Sequence, residues 1–337
     1  MEIRELAVTD EEAFADWHDA MRDAYLDGRQ AVWWSALEET RASFAKPSPH
    51  RRRLAIGAFD DHTCVGGAEL VLPDDADTET VDVELGVRPA AHGRGVGAAL
   101  WEWVVRRCAA EERTVAQLEL DLPPGQEMAE SPSGRFALAR GFTAGNVEHR
   151  MIIDLPSDLH DLARRLNHTP GDPAYRVVSW ADRCPDALLS EFARLSTMME
   201  EDVPSGEMTR TARRIDADRV RETEERMTSM GWVLARSMAL DSRGRGAGYT
   251  EIMISRHEKE FLIQDDTLVD RDHRGHGLGM ALKSANLHAV SELPDELVAG
   301  RRWLQTYTAT TNTPMLRVNE RFGFRTVDVL HECEARL

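Results

Sequence analysis

The chain has 337 residues, a hydrophobic content of 42% and a formal net charge of −18. This length predicts about two domains, at the usual size of roughly 100–200 residues each. The acidic balance argues against a general nucleic-acid binder, because phosphate contacts need clustered cations. The four cysteines are scattered without metal-ligand spacing, so we expect reduced thiols and no metal site.

The first residues, Met1–Leu6, lack the features of a secretory signal. No run of the sequence approaches the roughly 20 apolar residues of a membrane span. We therefore expect a cytoplasmic protein, monomeric or homodimeric, without membrane or nucleic-acid partners.

The first half of the chain predicts strands mixed with helices. An edge strand over Glu2–Val8 precedes a helix that carries an apolar stripe, and a second helix is predicted over Ala31–Phe44. We expect Trp33 and Trp34 on that helix to pack in the core. Further strands are predicted over Arg53–Phe59, Val65–Leu72, Thr80–Val87, Val115–Leu122 and His149–Asp154, with a short helix near Gly134–Ala139.

A breaker-rich run, 167–173, separates the two halves. It predicts an N-terminal domain (1–155), a linker (156–173) with a helix over Ser157–Leu166, and a C-terminal domain (174–337). In the C-terminal domain we expect a helix from Pro185, an acidic loop over Met198–Pro204, a helix over Asp216–Met230, and strands over Tyr175–Trp180, Trp232–Leu240, Ala247–Ser255 and Phe261–Val269.

A glycine-rich turn follows the strand Phe261–Val269 and leads into a helix from about Leu278. Gly275, Gly277 and Gly279 carry no side chains, so backbone N–H groups can converge there on an anion. The helix N-terminus adds its partial positive charge. The turn therefore predicts an anion site.

A second copy of this pattern lies earlier in the chain. Gly95 and Gly277 are 182 residues apart, as are Gly97 and Gly279, and Gly141 and Gly323 in two later Gly-Phe pairs keep the same offset. Agreement at several separated points indicates an internal duplication.

The spacing Arg-x-x-Gly-x-Gly at Arg274, Gly277 and Gly279 resembles the pyrophosphate motif of the GNAT superfamily of acyl-CoA-dependent N-acyltransferases. With the duplication, the chain resembles a pair of tandem GNAT domains, an architecture similar to that of mycothiol synthases. The resemblance implies an α/β fold (α+β mixed sheet), in which each domain has a mostly antiparallel central sheet flanked by helices. It also implies acetyl-CoA as the co-substrate.

The resemblance further implies the coenzyme-binding residues of the C-terminal domain. The pantetheine arm is expected to pair with the backbone of Leu268 and Val269, and Asn312 matches an Asn that often contacts pantetheine. The pyrophosphate would be held by Arg274, Gly275, His276, Gly277, Leu278, Gly279 and Met280.

Three carboxylates are candidates for the catalytic base. Asp266 ranks first because Glu84 takes the same place in the first copy, and Glu251 on the neighbouring strand ranks second. Asp265 ranks third, since the offset pairs it with Val83 and places its charge on an apolar face, which is costly unless the charge has a role. Each of the three could equally be a surface or ion-paired residue.

The acid that protonates the leaving thiolate is where the sequence departs from the family. Many members carry a Tyr four residues before the Gly of the Gly-Phe pair, but this chain has Asn319 in the second copy and Ala137 in the first. Asn can hydrogen-bond a sulfur but cannot supply a proton at neutral pH. Water, another group or Tyr307 must then act.

The copies also differ at two further positions: the first has His92 and Glu130 where the second has Arg274 and Asn312. We therefore expect a degenerate N-terminal domain and an acetyl-CoA-dependent N-acetyltransferase site in the C-terminal domain. Its substrate would be a small-molecule primary amine, either a mycothiol precursor or an antibiotic-like compound. The alternative is a non-catalytic acyl-CoA-binding sensor or scaffold.

Overall fold

The computed structural model describes residues 1–46, 48–156, 159–166 and 172–337. Within these ranges the chain forms two compact units. Unit 1 comprises Met1–Val147, Ser205–Thr211 and Leu330–Leu337. Unit 2 comprises Glu148–Pro204 and Ala212–Val329.

The first half of the chain forms the elements β1 (Glu2–Leu6), α1 (Glu11–Leu26), α2 (Leu37–Ala45), β2 (Arg51–Asp60), β3 (Thr63–Pro73), β4 (Thr80–Val87), α3 (Val96–Ala110), β5 (Val115–Leu122), α4 (Pro132–Leu138) and β6 (Thr143–Asp154). Strands β1 to β4 pair antiparallel in chain order, and β4 pairs parallel with β5. Val81 and Val83 alternate with polar residues along β4 and join the core that Leu100 and Val104 of α3 cover.

The second half forms α5 (Leu159–Leu166), β7 (Arg176–Ala181), α6 (Asp186–Asp202), α7 (Ala217–Ser229), β8 (Trp232–Leu240), β9 (Gly246–Ser255), β10 (Phe261–Val269), α8 (Leu278–Ser291), α9 (Asp295–Val298), β11 (Trp303–Ala309), α10 (Thr313–Phe322) and β12 (Arg325–Arg336). Strands β7 to β10 pair antiparallel in chain order, and β10 pairs parallel with β11. The predicted α/β class, with mostly antiparallel sheets flanked by helices, is confirmed.

The parallel strand pair is short in both units. β4 and β5 pair from Thr80 to Asp82, and β10 and β11 pair from Phe261 to Ile263. Beyond these residues, the two strands of each pair no longer pair with each other in the described chain. We call the opening between β10 and β11, beyond Ile263 and Gln305, the notch.

The last residues of the chain belong to unit 1. Cys333 and Ala335 of β12 are buried in the core of that unit. The Glu334 carboxylate accepts hydrogen bonds from the Gln117 side chain at 3.0 Å and from the Thr209 backbone N–H at 2.7 Å. Segments from the second half of the sequence thus complete the unit formed by the first half.

Three predicted segments differ from the structure. The helix predicted over Ala31–Phe44 begins only at Leu37, because the Glu39 carboxylate accepts the Ala36 N–H at 3.2 Å and caps the helix there. The loop predicted over Met198–Pro204 is helical as far as Asp202. Residues 157–158 and 167–171, in the predicted linker, lie outside the described residues.

Candidate active site

The glycine-rich turn of unit 2 has an open surface. Gly275 and Gly277 adopt φ values of +86° and +71°, and a Cβ atom built on either would meet nothing within 4 Å. Helix α8 starts directly after Gly277. The turn can therefore present backbone N–H groups to an anion, as predicted from the sequence.

Arg274 holds this turn against the strand before it. Its Nε donates to the Val269 carbonyl oxygen at 3.1 Å, and its Nη2 lies 2.7 Å from Asp202 Oδ2. Asp202 ends α6, so an acid of the segment predicted as the loop Met198–Pro204 contacts the turn. His276 Nδ1 lies 2.7 Å from Asp172 Oδ2.

The turn of unit 1 keeps the same backbone shape. Gly93 and Gly95 have φ values of +73° and +83°. His92 Nε2 lies 2.9 Å from the Val87 carbonyl oxygen, so His92 makes the strand contact that Arg274 makes in unit 2. The substitution of His for Arg therefore leaves the turn geometry intact.

Leu268 and Val269 pair with Tyr249 and Gly248 on one edge of β10. On the other edge, the strand pairing with β11 stops at Ile263 in the described part of the chain. The backbone of Leu268 and Val269 therefore faces the notch, where an extended ligand can add as a strand. This arrangement fits the pantetheine contacts predicted for these two residues.

A β-bulge lies between Gln264 and Thr267 of β10, opposite Glu251 of β9. The prediction that Asp265 occupies the apolar face at the position of Val83 is wrong. Because the bulge inserts one residue, Gln264 takes that position. Asp265 instead lies close enough to the Asp266 and Glu251 carboxylates to interact with both electrostatically. Burial, followed by those two carboxylates, raises the pKa of Asp265 well above its ordinary value.

The Asp266 carboxylate accepts a hydrogen bond from the Tyr249 hydroxyl at 2.6 Å. Burial, then the Asp266 charge, raises the pKa of that tyrosine well above its ordinary value. Asp265, beside it in the bulge, is exposed at the surface. The bulge thus concentrates negative charge where an ammonium group can be held.

Glu251 is placed differently from Asp266. It is 8% exposed and forms an ion pair with Arg236, which also pairs with Glu224 at 2.8 Å. Unit 1 repeats the arrangement in the ion pair between Glu69 and Arg53. An arginine already neutralises Glu251, so its geometry favours a supporting role behind Asp266.

Asn319 is buried on α10, and its Nδ2 donates to Thr308 Oγ1 at 2.9 Å. Thr308 therefore faces α10, and its neighbour Tyr307 points to the opposite face of β11. This places Tyr307 away from Asn319. Asn312 caps α10, and its side chain accepts the Met315 N–H at 3.3 Å.

The structure adds two side chains that the sequence reasoning missed. Gln264 fills the bulge, with its Nε2 at 2.7 Å from the Glu251 carbonyl oxygen and 3.0 Å from Thr250 Oγ1. Lys283 of α8 is 1% exposed, and burial lowers its pKa to about 7. The sequence could have drawn attention to Lys283 because lysines are rare in this chain, which has only Lys46, Lys259 and Lys283.

The corresponding place in unit 1 is apolar. Trp101 packs against Phe142 at a centroid distance of 5.4 Å, and Ala137 stands where unit 2 has Asn319. Glu84 remains acidic there. Burial, then the Glu69 charge, raises its pKa to about 8.

A cavity described in unit 2 lies elsewhere. It has a volume of about 310 Å³ and is lined by residues such as Leu155, Val298 and Arg302. Arg302 directly precedes β11, so the cavity is at the opposite end of β10 and β11 from the glycine-rich turn.

Residues 11–131 match a family model described as the acetyltransferase (GNAT) family. Over these residues the chain is similar to a GNAT acetyltransferase domain. This confirms the resemblance and the predicted acetyltransferase class. The matched residues lie in the first half of the chain, whereas the sequence analysis placed the active site in the second.

Relatives extend the likeness across both halves. The chain is 27% identical over 288 residues to a mycothiol acetyltransferase of Clavibacter sepedonicus, covering 86% of this chain and 82% of the relative. It shares a fold with a tandem GNAT protein from the clavulanic acid biosynthesis pathway, with a TM-score of 0.81, 24% identity and coverage of 99% and 98%. A GCN5-related N-acetyltransferase from Sphaerobacter thermophilus aligns with a TM-score of 0.61, 15% identity and coverage of 99% and 95%.

Among the described residues, no helix combines the length and the apolar character needed to cross a bilayer.

Proposed function

We propose that unit 2 transfers an acetyl group from acetyl-CoA to a primary amine of a small molecule. The observation that carries this proposal is the notch: an unpaired strand edge at Leu268 and Val269 lies beside an open glycine turn and a cluster of carboxylates. These are the three parts that thioester-to-amine transfer needs. They bind the coenzyme, polarise the acyl carbonyl and accept the amine.

Each part has a role in this proposal. Backbone N–H groups from Gly275 to Gly279 hold the pyrophosphate, and a backbone N–H at Leu268 or Val269 polarises the acyl carbonyl. Acetyl-CoA, when bound, supplies the activated acetyl group. Asp266 takes a proton from the attacking ammonium, directly or through water, while Tyr249 orients its carboxylate.

The polar character of the notch favours unit 2 over unit 1. Gln264 and Asn319 line it in unit 2, whereas Val83 and Ala137 take these places in unit 1. Unit 1 keeps its glycine turn and the acidic Glu84, so it is the alternative site that an experiment must test.

The substrate class follows from the charges around the bulge. Asp265 and Asp266 suit a cationic amine, and the chain as a whole is acidic. Two relatives suggest which compounds to test first. The first is the amine precursor of mycothiol, because one relative is a mycothiol acetyltransferase, and the second is an amine from an antibiotic-type pathway.

Two matched glycine variants test which unit binds the coenzyme. Gly277→Val and Gly95→Val each place a β-branched residue at a positive φ next to a helix start. We expect Gly277→Val to weaken acetyl-CoA binding at least tenfold in calorimetry and to abolish turnover, and Gly95→Val to leave both nearly unchanged.

The reverse result would move the active site to unit 1. Loss of binding in both variants, with folding retained by circular dichroism, would mean that both units hold coenzyme. If acetyl-CoA binds but free thiol is not released with any member of an amine panel, the protein is instead an acyl-CoA sensor or scaffold.

A further inference from the structure

Lys283 is a buried lysine that the proposed function does not use. It is 1% exposed, and within the described part of the chain it forms no hydrogen bond or ion pair. Its only described partner is the ring of Phe324, with Nζ at 5.4 Å from the centroid. Burying a cation without a counter-ion is costly, so such a residue calls for an explanation.

The position of Lys283 is fixed by its helix. Gly279, one turn earlier on α8, faces Val318 of α10, since a Cβ built on Gly279 would lie 3.5 Å from that side chain. Lys283 contacts Phe324, just after α10. Lys283 therefore lies in the gap between α8 and α10. Helical side chains lean toward the N-terminus of their helix, so Lys283 reaches back toward the glycine turn.

Two buried oxygens without a partner lie on elements that neighbour α8, one on α10 and one on β10. Asn319 Oδ1 on α10 and Gln264 Oε1 at the bulge are buried, with no hydrogen-bond partner among the described residues. Gln264 and Asn319 are 2% and 1% exposed, so water does not readily satisfy these oxygens. A buried cation and buried acceptors without partners, on neighbouring elements of one unit, suit a polar ligand group that completes their contacts.

We propose that Lys283 donates the proton that the departing CoA thiolate takes up, in place of the tyrosine that the chain lacks at Asn319. This inference rests on the proposed function of unit 2. In the step, the acyl carbon–sulfur bond breaks, the Lys283 ammonium gives its proton to the sulfur, and neutral lysine remains. The ammonium loses one proton before it attacks the acyl carbon and a second as the amide forms. Both leave through Asp266 to solvent, and solvent later recharges Lys283.

The charge state of Lys283 suits this role. Burial alone lowers its pKa to about 7, and no charged group of the sheet, α5 or α10 contributes to that shift. An acid with such a pKa is partly charged near neutral pH and gives up its proton readily. A nearby thiolate would favour the ammonium form, so bound CoA should raise the pKa of Lys283.

The three lysines make a direct test possible. With lysine labelled by ¹³C at Cε, the Lys283 signal is the one missing from Lys283→Met. In the free protein we expect this signal to titrate near pH 7. Adding CoA should move the Lys283 midpoint upward by at least one pH unit, whereas desulfo-CoA, which lacks the sulfur, should not.

Kinetics supply a second readout. Lys283→Met should bind acetyl-CoA with unchanged affinity and lose roughly 10²-fold or more in kcat, the usual worth of general acid catalysis. Lys259→Met changes a surface lysine and should keep the wild-type rate. Lys283→Arg keeps the positive charge but cannot donate a proton at neutral pH, so it should be as slow as Lys283→Met.

Two outcomes would overturn the assignment: a Lys283 midpoint that responds equally to CoA and desulfo-CoA, or a wild-type kcat in a folded Lys283→Met. If CoA binding survives Gly277→Val but not Gly95→Val, the proposed function of unit 2 is wrong. If CoA binds unit 2 and Lys283 still ignores the sulfur, only the present inference fails.

Discussion

At the scale of single residues, Asp266 differs from its neighbouring carboxylates in its partners. Glu251 is neutralised by Arg236, whereas Asp266 accepts the Tyr249 hydroxyl at the mouth of the bulge. If Asp266 takes the proton of the attacking ammonium, Asp266→Asn should lower kcat/KM by roughly 10²–10⁴-fold. Acetyl-CoA affinity, measured by calorimetry, should change little, because Asp266 lies within β10 and not in the glycine turn.

The matched control is Glu84→Gln in unit 1, which we expect to keep wild-type turnover. A carboxylate near the ordinary aspartate pKa of about 4 is a weak base for an amine. If Asp266 only orients the amine, the loss in Asp266→Asn will be smaller, and the acidic limb of the pH–rate profile will not move. Wild-type rates for Asp266→Asn at all pH values would exclude Asp266 from the mechanism.

At the scale of elements, the sequence predicted the regular parts well. The bounds predicted for β4, β5, β8 and β10 and the start of α8 match the structure, because alternation and glycine breaks mark them. The bulge in β10 was missed. An extra residue leaves no signal in composition, and a one-residue shift reverses which face Gln264 and Asp265 occupy.

Lys283 of α8 should make the free energy of unfolding depend on pH, and this dependence can be measured. The pKa of Lys283 falls from 10.5 to about 7 on folding, so the unfolded chain binds the proton more tightly between these values. Folding stability should therefore rise with pH from about 7 to 10, and the Lys283 penalty is fully present below pH 7. Lys283→Met should be more stable than wild type at pH 7. This difference should shrink by about 2–3 kcal/mol on going to pH 9, at about 1.4 kcal/mol per pH unit.

Urea unfolding of both proteins at pH 7 and pH 9 measures this change, and Lys259→Met is the control for a surface lysine. A constant stability difference between wild type and Lys283→Met across this range would mean that Lys283 is hydrated and titrates normally.

At the scale of the whole molecule, the sequence revealed the duplication. It did not reveal that two segments from the second half of the chain belong to unit 1. The offset of 182 residues marks two copies, and the fold confirms a tandem arrangement. A terminal strand such as β12 has the same alternating pattern whichever sheet it joins. The sequence therefore could not predict that Leu330–Leu337 and Ser205–Thr211 complete unit 1. The division into domains over 1–155 and 174–337, with a linker over 156–173, remains a prediction.

Because Leu330–Leu337 belongs to unit 1, truncation at the C-terminus should destabilise that unit. Deleting Leu330–Leu337 removes Cys333 and Ala335 from the core of unit 1 and leaves Gln117 and Thr209 without the Glu334 carboxylate. The edge of β5 then loses the Leu337 N–H that donates to the Thr114 carbonyl oxygen at 2.9 Å. We expect hydrogen exchange to speed up strongly across β5 and the segment Ser205–Thr211, while amides of β8 and β9 in unit 2 stay protected.

Removing Leu337 alone is the control and should affect only the end of β5. Equal loss of protection in both units would show that they unfold as one cooperative body, and unchanged exchange in β5 would contradict the assignment of these residues to unit 1.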